Sequence, residues 1–104
     1  FVFGPYLNMR VMTQTIAGDY AGAIDSFEEN QRRGGPVGPP VLAMCAAAAI
    51  GLDSPKEATQ YVENLKHGFP NFNLATWNMP RLIREQETRD RVMQLMREAG
   101  VPES

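Results

Sequence analysis

"QRRGGPVGPP" occupies residues 31–40, with three glycines and three prolines in ten positions. Such a stretch is a domain linker, a polyproline ligand, a phosphate-cradling loop or a turn between two helices, and its flanks decide among these. On its N-terminal side, residues 20–33 set Tyr20, Ala23, Ile24 and Phe27 at i, i+3, i+4 and i+7, the apolar stripe of an amphipathic helix. On its C-terminal side, "VLAMCAAAAIG" at 41–51 is apolar all round. That predicts a helix buried between neighbours, which its alanines let come close. The phosphate-loop reading fails, because no Lys-Ser/Thr pair follows the glycines and no strand precedes them. "PVGPP" is short for a polyproline ligand. The reading that fits is a rigid turn. Gly34 and Gly35 supply left-handed geometry at a helix end, while Pro39 and Pro40 favour the first turn of the next helix.

Working outward, three further helices are expected. Residues 6–17 carry Leu7, Met9, Val11, Met12 and Ile16, and Gly18-Asp19 ends that helix and caps the following one. Residues 55–66 place Ala58, Tyr61, Val62 and Leu65 on one face. Their start is marked by Ser54 as a cap, Pro55 at the first helical position and Glu57 closing a capping box. Val92, Leu95, Met96 and Ala99 form a last stripe, with Thr88 as its N-cap and Gly100 and Pro102 stopping it. Period-2 alternation is scarce and no Asn-Gly hairpin turn occurs. The expected fold class is all-α.

Ala23 and Ala58 stand 35 residues apart, close to the ~34-residue period of tetratricopeptide repeats. "GDYAGAIDSFEEN" (18–30) is similar to the second half of that repeat through Gly18, Tyr20, Ala23, Ile24 and Phe27. "SPKEATQYVENLKHGFP" (54–70) matches it again through Ala58, Val62, Leu65 and Pro70. Packing explains these residue types: the two helices of a hairpin cross closely at the alanine, and the larger side chain four along fills the gap. In the first halves, Leu7 and Leu42 replace the usual large aromatic, and Val11 and Ala46 stand four later. The expected architecture is an α-α superhelix of two degenerate hairpins, residues 5–35 and 39–70, closed by a cap over 71–104.

After Pro70 the pattern changes. Pro70, Phe72, Leu74, Trp77, Arg81, Arg89, Leu95, Met96, Arg97, Ala99, Gly100, Pro102 and Glu103 lie in an "F-x-L-x-x-W" segment and a helix that ends "MREAGVPE", close to the pattern "L-R-x-A-G-L-P-E". This resembles the C-terminal region of bacterial class III adenylate/guanylate cyclases that carry tetratricopeptide-like repeats, and of some winged-helix transcriptional regulators. The likeness runs over about residues 5–103; its sharper motifs lie in the last third. It departs where the family's "P-F-x-D-P" reads "PRLIREQET". The resemblance implies a region that follows a catalytic domain, without the metal-binding aspartates or the asparagine/arginine pair of that domain. It implies a non-catalytic scaffold for protein contact or dimerisation in signal transduction; in a winged-helix regulator, the same region would be a sensor or interaction segment. Physically, the last third reads as a cap, because a solenoid leaves its final apolar face open unless an atypical element covers it. Trp77, Leu82, Ile83, Val92, Leu95 and Met96 are expected to cover that face, with Arg89, Arg91 and Arg97 turned to water.

Composition narrows the chemistry. A net charge of −2 argues against a nucleic-acid footprint. The longest apolar run, about twelve residues, is too short to span a bilayer. Cys45, the single cysteine, leaves no internal disulfide and no cysteine cluster for a metal, and fits a reducing compartment, the cytoplasm. Within its apolar run it reads as an inert buried thiol. His67, the single histidine, reads as a surface residue suited to a helix C-terminus. Neither catalytic residues nor a cofactor or metal site is expected. The chain begins at Phe1 rather than Met, which we read as a piece of a longer protein.

In a repeat of this kind the first helix of each hairpin lines the concave side. That places Asn8, Met12, Thr15 and Ile16, then Ala43, Ala47 and Ile50, along a small apolar groove. The expected occupant is protein, either a second copy in a homodimer or another chain. The ordinary alternative is that the last helix folds back into the groove.

Overall fold

The structure, a computed structural model, describes the backbone of residues 3–34, 38–74 and 85–102, with side chains from residue 9 onward within those ranges. Five helices follow one another: α1 (Phe3–Ala17), α2 (Tyr20–Arg32), α3 (Pro39–Gly51), α4 (Pro55–Gly68) and α5 (Gln86–Ala99). The fold is all-α, with no strand among the described residues.

Local sequence sets most of the helix ends. At the close of α1, Gly18 is left-handed at φ 87°, which glycine adopts without a Cβ clash. Its N–H donates to the Thr15 carbonyl (3.1 Å) and that of Asp19 to Gln14 (2.8 Å), the paired bonds of a Schellman motif. The Asp19 carboxylate then accepts from the Gly22 N–H at 3.1 Å, capping α2 as expected. Gly34 is left-handed at φ 69°, and Pro39 and Pro40 open α3. The turn reading of residues 31–40 holds at those positions; Gly35 lies outside the described residues.

Two helix starts and one cap differ from expectation. α1 begins at Phe3 rather than Tyr6, because Pro5 falls in the first turn, where its missing N–H forfeits no helical bond. Thr88 is not the cap of α5: the helix starts at Gln86, with Glu85 as the flanking residue. Gln86 and Glu87 are good helix formers, and Glu87 places its charge in the first turn. Ser54 does flank α4, but its side chain makes no capping bond. A capping box needs the Ser54 N–H free for Glu57. Here that N–H donates instead to the Ala49 carbonyl at 2.8 Å, closing α3 around Asp53, a left-handed residue at φ 59°.

α1 packs on α2, and α3 packs on α4, as two hairpins; α3 also lies against α1 and α2. Val41 through Ala49 are all buried, so the all-round apolar helix is the centre of the core. Ala23 and Ala58 are buried, as are Phe27 and Val62 four residues on. Phe27 meets Tyr61 of α4 edge to face, ring centroids 5.5 Å apart. The extents, 31 × 29 × 26 Å, are nearly equal, so the chain is not drawn out along a solenoid axis.

α5 lies chiefly on α3 and makes only marginal contact with α4 and α1. Val92 and Met96 are fully buried, and Leu95 is half-buried. Arg91 and Arg97 are exposed, whereas Arg89 is half-buried. Trp77, Leu82 and Ile83 lie outside the described residues. Beyond α4, Leu74 returns to the end of α5 and donates its N–H to the Pro102 carbonyl at 2.9 Å.

Candidate functional site

The seven residues expected along one groove separate in the structure. Thr15, Ala43 and Ala47 are completely buried. Met12, Ile16 and Ile50 are half-buried; Asn8 lies in α1, its side chain outside the described set. An open groove containing all seven is therefore corrected. Thr15 tolerates burial because its hydroxyl donates to the Val11 carbonyl one turn back, at 2.8 Å. Ala43 and Ala47 belong to the buried run of α3, against which α5 packs.

What remains open on α1 is a different stripe. Met9, Met12, Thr13 and Ile16 stand at i, i+3, i+4 and i+7 and line a mostly apolar depression of about 140 Å³. Met9 is 68% exposed, the most exposed large apolar side chain among the described residues. α1 thus buries Val11 and Thr15 completely, keeps Met12 and Ile16 half-buried at the margin of the core, and turns Met9 to water. Methionine side chains are flexible and polarizable, and they fit irregular partner surfaces. Sequence reasoning singled out Met12 and Ile16 but missed Met9. Its helical spacing was visible; how far the rest of the fold would cover it was not.

A second concavity, polar and about 440 Å³, runs between α1 and α2 beside Arg10, Gln14, Asp25, Ser26, Glu29 and Arg32. The Gln14 side-chain amide, oriented to satisfy its neighbours, donates its N–H to the Ser26 hydroxyl at 2.6 Å and to the Gly22 carbonyl at 3.0 Å. Glu29 bridges Arg32 at 2.8 Å and Arg33 at 2.6 Å. The hydrogen bond from Arg32, then that from Arg33, hold its carboxyl below the usual carboxylate range. These exposed pairs belong to the surface of α2 and compensate one another, so the cleft carries mixed charge rather than one sign.

No protein-family model, curated protein or solved structure matches the chain.

The remaining chemistry is quiet. Cys45 is fully buried, and burial pushes its thiol well above the ordinary range, away from the thiolate that reactivity needs. His67 is exposed at the end of α4. Among the described residues, no group of three or more His, Cys, Asp or Glu side chains is placed to hold a metal ion. No described helix is long and apolar enough to cross a membrane.

Proposed function

We propose that this chain is a non-catalytic helical scaffold for protein contact, working by self-association through α1. The exposed Met9, beside the half-buried Met12 and Ile16 in one apolar depression of α1, carries the reading. Stacked hairpins leave an apolar end face unless a cap covers it. Here α5 packs on α3, while on α1 Met9 stays exposed and Met12 and Ile16 are only half-covered. A second copy is the occupant we commit to, because α1 pairing with its equivalent brings the same stripe from both sides in an isologous contact. The C-terminal resemblance supports placing this scaffold after the catalytic domain of an adenylate/guanylate cyclase, where association of the tails would bring two parent chains together.

Sedimentation or light scattering at high micromolar concentration tests the reading. The expected result is a dimer that Met9→Glu converts to monomer, with an unchanged helical spectrum and a melting temperature that no longer rises with protein concentration. A strict monomer in the unmodified protein overturns it.

A further inference from the structure

α5 is strongly polar on its outer side, yet it covers part of the most apolar helix in the fold. Within it only Val92 and Met96 are fully buried; Met93, Leu95 and Ala99 are half-buried, and most of the others face water. No side chain caps its N-terminus. Among its polar contacts, two join it to other parts of the chain at either end. The Arg91 guanidinium donates to the Ile16 carbonyl in the last turn of α1, where the helix dipole favours a cation. At the other end, the Leu74 N–H holds the Pro102 carbonyl at 2.9 Å. Ten residues of sequence, 75–84, join Leu74 to Glu85.

We propose that α5 is a displaceable occupant: α3 and the C-terminal end of α1 form a helix-binding seat that the chain closes in cis. The occupant that replaces α5 is an amphipathic helix of the same chemistry, from a protein partner. It has two apolar anchors four residues apart, as Val92 and Met96 are, and a cation just before the first, as Arg91 is. The buried alanines of α3 let such a helix approach closely. Belonging to the same chain as its seat, α5 competes intramolecularly, at an effective concentration on the order of millimolar. The seat therefore stays shut to weak competitors and opens to a partner that binds more tightly or meets α5 already released. Elements with few buried anchors are the ones that open below the global unfolding energy. This inference stands on α5 and α3 and not on the outer stripe of α1, so the two can fail separately.

The test places a protease recognition sequence in residues 78–81 of the full chain, cuts it after folding, and adds a fluorescent peptide of residues 85–102. The cut protein is expected to keep its helical spectrum and to exchange its own α5 for the peptide. Arg91→Ala in the peptide should weaken binding roughly 5–10-fold, the size expected for one exposed charge-assisted hydrogen bond. Met96→Asp should abolish it. The uncut protein should take up the peptide at least about 100-fold less well. A cut chain that unfolds, or one that retains α5 without exchange, makes α5 an integral core helix and overturns the proposal.

Discussion

The ring of Tyr20, at the start of α2, lies against the backbone of Gly51, the last residue of α3: a Cβ at position 51 would stand 2.4 Å from the ring Cδ2 and 2.8 Å from Cγ. Because Cγ is the root of the ring, rotating the ring about its own axis gives no relief; the whole side chain must swing. Gly51→Ala gains some helix propensity but is expected to cost about 1–3 kcal/mol net, as overpacking does. Tyr20→Ala should remove most of that cost. A double-mutant cycle in urea measures the coupling; additive effects would show that the two residues do not touch.

Asp19 carries the cap of α2 and sits just after the left-handed Gly18. Asp19→Ala should lower stability by about 0.5–2 kcal/mol, whereas Asp19→Asn, which keeps an acceptor oxygen, should lose little. Equal losses in urea melts would remove the capping role.

Ala47 separates the two accounts of the α3 face. Were it part of an open groove, a larger apolar residue would be tolerated; in the structure it is fully buried. Ala47→Leu is expected to cost about 1–3 kcal/mol or more, read as a fall in the denaturation midpoint. A neutral outcome would restore the groove.

Alkaline pH should weaken the fold through Cys45 first. Burial, with a smaller effect of Glu28, raises its thiol pKa, and burial likewise raises that of Tyr61. Unfolded thiols titrate near about 8.5 and tyrosines near about 10. Above pH ~8.5 the unfolded chain sheds a proton that the folded chain keeps, so stability falls as pH rises, by up to about 1.4 kcal/mol per unit for this one group. Cys45→Ala should begin less stable at pH 7, because it leaves a small void, yet stay level until about pH 10. Parallel decline of both proteins between pH 8.5 and 10 would exclude the thiol as the cause.

Much of the candidate site stayed hidden for the same reason that the helices were legible. The spacing of Met9, Met12 and Ile16 marks an apolar face of α1, and that of Val11 and Thr15 marks another. Helical periodicity says that both exist, not which one the other helices cover. Thr15 looks like a surface residue in sequence; the hydroxyl bond to Val11 is what lets it lie inside. The capping box at Ser54 failed because its N–H was already committed to the preceding helix.

By itself, the sequence determined the five helices, the turns at Gly18 and Gly34, and the burial of the alanine-rich helix. Those features depend on neighbours within about four residues and on bulk hydrophobicity. Only the tertiary structure decided that α5 would lie on α3, that Ala43 and Ala47 would be sealed, and that Met9 would face water. These outcomes rest on contacts such as Arg91 with the Ile16 carbonyl, 75 residues apart. Such contacts are selected by how whole helix faces fit one another, and no local pattern encodes that fit.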